Sequence, residues 1–263
     1  MNGRKRAVLG AAGLALLTGC FAAPVRLDAS QPCPPPIEGG RVPRFGSVGL
    51  VPVCNRTFVD PATTAVERER IRTYYGAALA TVSRAFGGLQ SERPAVILCK
   101  TDSCRKYFAG SFERSVDLGT RNRAAGATYF AEEETIVITR IDASAQLGLA
   151  HELAHVELRA RIGAEFMAEL PQWFNEGVAT SIGDPADCEG EPKGLLDLRT
   201  LDANKAWRNY TNLPGRSHPT YCQARAEVTT WLARNGRQRF FWLLDWVRAG
   251  RPFYEGYGPM LTQ

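Results

Sequence analysis

The run His151-Glu152-Leu153-Ala154-His155 constrains this chain more than any other feature. On an α-helix, two residues four positions apart project from one face, one turn apart. Two neutral imidazoles placed in this way bind one Zn²⁺ at about 2.0–2.1 Å each. Glu152 lies about 100° around the helix from His151 and therefore reaches the same cleft without being forced onto the metal. The run predicts a helix that carries two metal ligands and a general base.

A catalytic zinc takes three protein ligands and keeps one open position, so a further ligand is expected elsewhere in the chain. Glu176 is the candidate, because the interval after His155 has room for the helix to end and a second helix to return alongside. Thr180 lies one turn after Glu176 and is a candidate to orient that ligand, although a hydroxyl without a role is an equal alternative. The competing interpretation of the motif is an amphipathic helix with surface histidines. The chain has only 3 histidines, however, and two of them fall in this motif.

The segments HELAH (151–155) and PQWFNEGVAT (171–180) together resemble the gluzincin zinc metallopeptidases. The second segment is similar to the W-x-x-E-G segment of the peptidase-MA-like families and of the gluzincin aminopeptidases. The resemblance implies an α+β, thermolysin-like catalytic domain, with a small mixed sheet whose edge strand lies over a zinc helix and a mostly helical C-terminal part. The spacing between the second His and the Glu, and the lack of an upstream Gly-x-Met-x-Asn motif, argue against an aminopeptidase.

The resemblance also implies a role for each residue of the motif. His151, His155 and Glu176 correspond to the zinc ligands, Glu152 corresponds to the catalytic base, and the implied cofactor is one Zn²⁺ per chain. Gluzincins supply a His or Tyr from after the second helix to stabilise the oxyanion. The candidates here are His218 and Tyr221, and we prefer Tyr221 because it matches the Tyr-x-Gln position of the family.

Hydrophobic periodicity predicts the surrounding elements. The predicted helices cover 61–86, a short stretch after 101–103, 143–162, a segment that begins at Pro171, 221–234 and 238–247, and the predicted strands cover 96–98, 126–130 and 135–139. The interval 184–219 reads as a long loop with a weak helical stretch near 201–207. The strands before the zinc helix are similar to the gluzincin sheet edge, which binds substrate as an added strand. Two interpretations of the glutamates at 132–134 are open: they bind a basic substrate or a cation, or they form a solvated turn.

The N-terminus is typical of an exported protein. Arg4, Lys5 and Arg6 precede an apolar run over residues 7–17 that is too short to span a membrane. Leu17-Thr18-Gly19-Cys20 looks like the lipobox of bacterial lipoproteins, which predicts a signal peptide over 1–19 and a lipid anchor on Cys20. A signal peptide cut elsewhere is the alternative. Residues 20–56 are rich in Pro and Gly and are predicted to form a tether, which leaves 57–263 as the catalytic domain.

Six further cysteines agree with export, because an even number of cysteines in an exported chain usually forms disulfides. Their order along the chain suggests the pairs Cys33–Cys54, Cys99–Cys104 and Cys188–Cys222. A metal site with cysteine ligands is the alternative, but none of the six belongs to a C-x-x-C pair. The formal net charge of +5 arises largely from the signal, so no nucleic-acid partner is expected.

These features predict a zinc-dependent endopeptidase held at a membrane of the bacterial cell envelope, outside the cytoplasm. Its expected partners are peptide or envelope-protein substrates, hydrolysed by Glu-assisted attack of zinc-bound water. One alternative is an inactive zinc fold that serves in binding or assembly, and the other is a disulfide-stapled binding lipoprotein without a metal. Glu152 argues against the inactive fold, because metal binding alone does not require that carboxylate.

Overall fold

The computed structural model describes residues 28–36, 38, 42–115, 126–183, 188 and 196–259, with only the backbone of 109–115. The predicted signal peptide and the predicted lipidation site, Cys20, lie outside these residues. The elements in chain order are β1 Arg44–Phe45, β2 Val48–Gly49, β3 Val51–Cys54, β4 Thr57–Val59, α1 Ala65–Phe86, β5 Ala95–Leu98, α2 Asp102–Ser115, β6 Ala127–Phe130, β7 Thr135–Ile138, α3 Ser144–Ile162, α4 Gln172–Gly183, α5 Asn204–Thr211, α6 Ser217–Arg248 and α7 Phe253–Tyr257. Short 3₁₀ turns cover Ala164–Glu169 and Leu198–Leu201.

The main sheet is mixed and has five strands in the order β3-β4-β5-β7-β6. The inner strands β4, β5 and β7 run parallel, whereas β3 and β6 pair antiparallel at the two edges. The central strands are continuous apolar runs, as expected when both faces of a parallel sheet are covered. The predicted strands on either side of the acidic turn are confirmed as β6 and β7, and β6 is an edge strand.

The helix that carries the HELAH motif lies at the centre of the fold. α3 packs against α1, α4 and the strands β6 and β7, and α4 packs against α6 on its other side. Leu149, Leu153 and Leu158 of α3 are completely buried, which explains why its apolar residues occupy most of its circumference. Helix α1 begins with a capping box, in which Thr64 and Glu67 satisfy each other's backbone N–H groups.

The described residues of the predicted tether include segments that belong to the folded domain. β3 extends the five-stranded sheet, and Cys54 at its end is fully buried and bonded to Cys33. The buried guanidinium of Arg93 donates hydrogen bonds to the backbone oxygens of Pro32 and Gln31. The folded part therefore begins well before residue 57. Pro52 lies at an edge strand, where the missing backbone donor is tolerated.

The C-terminal part is more helical than its periodicity predicts. The predicted helices at 221–234 and 238–247 are two halves of α6, which already begins at Ser217 and bends at Gly236, where φ is 74°. Positive φ is the left-handed region that glycine adopts without steric cost. Within the predicted loop at 184–219 the structure has α5 and the start of α6, and α7 was not predicted.

All three predicted disulfides are confirmed: Cys33–Cys54, Cys99–Cys104 and Cys188–Cys222. Disulfides of this number are typical of proteins that fold outside the reducing cytoplasm. None of the described helices combines the length and the apolar character that a bilayer crossing requires.

Candidate metal centre

Three side-chain atoms from α3 and α4 converge at one point. His155 Nε2 lies 3.1 Å from His151 Nε2 and 3.5 Å from Glu176 Oε2, and His151 Nε2 lies 3.2 Å from the same carboxylate oxygen. Ligands that surround a tetrahedral zinc at about 2.0–2.1 Å are about 3.3 Å from one another. Two imidazole nitrogens and a carboxylate oxygen at these separations fit a zinc ion with its fourth position open, so the structure brings the three predicted ligands together.

Two amide side chains hold these ligands in place. Asn175 Oδ1 lies 2.9 Å from His155 Nδ1, which directs the other ring nitrogen of His155 to the ligand cluster. Gln172 Nε2 donates to Glu176 Oε1 at 2.8 Å and leaves Oε2 facing the histidines. Sequence reasoning missed both amides. The helical spacing of Gln172 and Glu176, four residues apart, is the signal that predicts such a contact.

Thr180 does not orient Glu176 as predicted. Its hydroxyl oxygen is buried and has no hydrogen-bond partner among the described residues, although the side chain lines the cleft that holds the ligands. The reason is geometric: Gln172, one turn before Glu176, already occupies the carboxylate oxygen that faces away from the histidines.

Two glycines of α4 allow the ligand-bearing helices to approach closely. A Cβ on Gly183 would lie 2.7 Å from the Cβ of His151, and a Cβ on Gly177 would lie 2.6 Å from the backbone oxygen of Ala224 in α6. Contacts this short do not occur between real atoms, so a side chain at either position forces the helices apart. α4 is therefore fixed against α3 on one side and α6 on the other.

Glu152 lies next to the ligand cluster but does not belong to it. Its side chain is buried and lines the same cleft, and its Oε2 accepts a hydrogen bond of 2.9 Å from the backbone N–H of Tyr129 in β6. Burial raises the pKa of Glu152 above its ordinary value, and the two histidines partly oppose that shift. Glu152 is therefore a carboxylate with a raised pKa beside the ligands, at the position where the sequence predicts the general base.

The ligand cluster favours a positive charge at its centre. Burial would lower the pKa of His155, but the nearby Glu176 carboxylate outweighs it and raises this pKa to about 9. Burial would likewise raise the pKa of Glu176, yet the histidines hold it below its usual range. A bound divalent cation meets the same electrostatic demand, because it supplies positive charge between the imidazoles and the carboxylate.

The ligands lie in a cleft of about 780 Å³ between β6, α3, α4 and the N-terminal end of α6. Both oxyanion candidates line it. The ring of Tyr221 lies 6.3 Å from that of His151, and the Trp207 indole N–H donates to its hydroxyl oxygen at 3.5 Å. The other candidate, His218, is exposed and has Nε2 only 3.7 Å from the Cys222 sulfur. The geometry therefore favours Tyr221.

The acidic turn between β6 and β7 contributes little to the cleft. Glu132 and Glu134 are exposed, and neither lines the cleft. Glu134 also lies 4.0 Å from Arg56 across the surface. These contacts fit the alternative of a solvated turn rather than a binding site for a basic substrate or a cation.

Cys188, His218 and Cys222 form a second group with metal-ligand spacing. Cys188 and Cys222 are joined in a disulfide, whereas a cysteine binds metal as a free thiolate. In the oxidised protein this group is therefore a structural crosslink at the rim of the cleft, which removes the alternative of a cysteine-ligated metal at this position.

No family model, no curated protein and no solved structure matches this chain.

Proposed function

We propose that this protein is a zinc-dependent endopeptidase that cleaves peptide bonds in the cleft between β6 and α3. The observation that carries the proposal is the convergence of His151 Nε2, His155 Nε2 and Glu176 Oε2 at separations of 3.1–3.5 Å beside the buried Glu152. A purely structural zinc is enclosed by four protein ligands. Three ligands, an open cleft and an adjacent carboxylate instead support catalysis.

His151, His155 and Glu176 would hold the zinc, with Asn175 and Gln172 fixing their orientation. When bound, zinc lowers the pKa of a coordinated water and polarises the substrate carbonyl. Glu152 accepts the proton of the attacking water and returns it to the leaving amine. The hydroxyl of Tyr221 donates to the developing oxyanion, an interaction worth about 2.7–4 kcal/mol in other oxyanion holes.

The outer edge of β6, on which no other strand of the described residues pairs, supports binding of an extended peptide. Residues on an edge strand alternate, so that the backbone groups of every second residue face away from the neighbouring strand. The Tyr129 N–H bonds to Glu152 rather than to β7, which means that the backbone groups of Tyr129 face the cleft. A substrate added as a further strand would align its scissile bond with the ligand cluster.

The N-terminal sequence assigns a location to this activity. A lipid on Cys20 would hold the domain at a membrane of the bacterial cell envelope, on the side away from the cytoplasm. The three disulfides agree with that placement, because they require an oxidising compartment. Candidate substrates are therefore peptides and envelope proteins.

Metal analysis and a broad peptide library test this function. We expect the purified protein to carry one equivalent of zinc and to cleave the library. The variant Glu152→Gln should retain the zinc but lose about 10²–10⁴-fold in rate, because general base catalysis is removed. Glu92→Gln, which removes an exposed carboxylate outside the cleft, is the matched control and should cleave like the wild type.

Each unexpected result has a defined meaning. A protein without zinc would overturn the proposed function and leave a disulfide-stapled binding module. Equal cleavage by the wild type and Glu152→Gln would overturn the role of Glu152. Zinc at one equivalent with no cleavage by either protein would favour an inactive zinc fold that acts in binding or assembly.

A further inference from the structure

An arginine lies in the cleft one turn beyond the ligand cluster. Arg159 follows His151 and His155 at helical spacing on α3, and its half-buried side chain lines the same cleft as both histidines. Residues four apart on a helix are displaced by about 6 Å along its axis. The guanidinium therefore belongs to the part of the cleft next to the site of hydrolysis.

The acidic groups of the cleft are all bound to other partners. Glu152 accepts from the Tyr129 N–H, and Glu176 contacts the two histidines and Gln172. The carboxylate of Asp202 accepts from the Trp173 indole and the Tyr254 hydroxyl. Throughout the chain described by the structure, no carboxylate forms an ion pair with Arg159.

Arg161, two residues further along the same helix, shows what a structural arginine looks like here. Arg161 binds the buried carboxylate of Glu157 at 2.7 Å and donates to the backbone oxygens of Phe86 and Gly88. The Nε and Nη2 groups of that guanidinium thus meet acceptors of the fold. Arg159 differs from Arg161 in both respects: it lines the cleft, and it has no ion pair with a carboxylate among the described residues.

The surroundings of Arg159 strengthen the electrostatic interactions that its positive charge can make. Tyr129 and Arg159 line the same cleft. Burial raises the pKa of Tyr129 to about 12, and the positive charge of Arg159 partly opposes that shift. Tyr129 and Met167 add apolar surface to this part of the cleft. A charge beside apolar surface is screened less than one in water, and a guanidinium matches a carboxylate with two parallel hydrogen bonds.

We propose that Arg159 selects substrates that present a carboxylate near the scissile bond. This inference rests on the proposed function and names its substrate class: peptides with Asp or Glu, or a free C-terminus, within about three residues of the cleaved bond. That distance follows because an extended peptide advances about 3.3 Å per residue and Arg159 lies about one helical turn from His155.

Matched peptides test the proposal and separate the two sources of the carboxylate. Once the library has given a cleaved sequence, each position near the bond is varied among Glu, Gln and Lys, and every peptide is made with a free and with an amidated C-terminus. We expect Glu, or the free C-terminus, to raise kcat/KM by about tenfold or more at one position, as a charge-assisted hydrogen bond would. Arg159→Gln should abolish that preference, Arg159→Lys should keep part of it, and Arg159→Glu should favour the Lys peptides.

Arg70→Gln, which removes a positive charge from the exposed face of α1, is the control and should keep the preference of the wild type. Binding of labelled peptides to the Glu152→Gln variant, followed by fluorescence anisotropy, gives a readout that does not depend on hydrolysis. If no library peptide is cleaved, binding is compared between library peptides with Glu and the same peptides with Gln. Tighter binding of the Glu peptides that Arg159→Gln abolishes would mean that the proposed function fails and that Arg159 remains a carboxylate site. If peptides are cleaved or bound with the same preference by the wild type and Arg159→Gln, the role of Arg159 is overturned while the peptidase stands.

Discussion

At the scale of single residues, two amides fix the geometry on which the proposed metal centre depends. The Asn175 oxygen contacts His155 Nδ1 at 2.9 Å, and the Gln172 amide donates to Glu176 Oε1 at 2.8 Å. Both ligands are thereby held with one defined atom facing the centre. A histidine ring or a carboxylate that becomes ordered only when the metal binds loses conformational entropy in that step. This loss lowers the affinity for the metal.

We expect Asn175→Ala to weaken zinc binding by about 10–100-fold, because removal of a hydrogen bond to a ligating histidine typically has this effect. Titration against a chromophoric chelator measures the change. Thr180→Val is the matched control on the same helix, since the Thr180 hydroxyl has no hydrogen-bond partner among the described residues, and it should bind zinc like the wild type. A larger loss in Thr180→Val than in Asn175→Ala would reverse this assignment of the supporting residues.

Some residues of the site can be predicted from their spacing in the sequence, and others cannot. The two histidines, Glu152 and Glu176 follow from spacing, because helical periodicity fixes which side chains share a face. The support from Asn175 was not predicted, since it depends on how α4 is rotated against α3. Thr180 has the right spacing but another residue already holds Glu176, and competition for one acceptor cannot be read from spacing alone.

At the scale of elements, the contacts of α4 hold the two halves of the site together. One glycine of this helix faces α3 and another faces α6, each where a Cβ would be under 3 Å from atoms of the neighbouring helix. Glycine in a helix interior costs about 0.5–1 kcal/mol relative to alanine. The close packing that Gly177 and Gly183 allow offsets this cost.

We expect Gly177→Ala to lower the free energy of unfolding by about 1–3 kcal/mol, the usual effect of overpacking a core. The added methyl group would meet the Ala224 backbone, which cannot move as a side chain can. Gly76→Ala in α1 is the control, because its Cβ would be 3.4 Å from Pro32, and it should be neutral or stabilising. Urea unfolding followed by circular dichroism compares the two. If Gly177→Ala is as neutral or stabilising as Gly76→Ala, helix propensity and not packing determines the result, and the packing argument fails.

Elements with strong local signals were predicted well, and those that depend on distant contacts were not. α3 was expected at 143–162 and covers Ser144–Ile162. β3 and β4 were missed, because each has only a few residues and is defined by pairing in the sheet. The Asn-Gly at 235–236 was expected to end one helix before the next begins, and this is confirmed: Gly236 has non-helical backbone angles (φ 74°, ψ 170°), so α6 consists of two helices that meet at a kink.

At the scale of the whole molecule, crosslinks connect the segment before β3 and the rim of the cleft to the domain. Cys33–Cys54 fixes the segment before β3 to the sheet, and the buried Arg93 binds the backbone of the same segment. Cys188–Cys222 joins the chain after α4 to the start of α6, one residue from Tyr221. In the proposed lipoprotein, the membrane anchor is therefore joined to a rigid domain through the residues that precede Cys33.

The three disulfides should differ in their contribution to stability according to the chain that each one closes. Cys188–Cys222 spans 34 residues and Cys99–Cys104 spans 5. Loop-closure entropy predicts a loss of about 4 kcal/mol for the double variant Cys188→Ser/Cys222→Ser and about 2 kcal/mol for Cys99→Ser/Cys104→Ser. Urea unfolding of each double variant gives the values. An equal loss in both would contradict the entropic ranking and would mean that local packing in the folded state governs the effect of these crosslinks. The longer crosslink also lies beside cleft residues His218 and Tyr221, so its removal should lower the proposed peptidase activity more than removal of the shorter one.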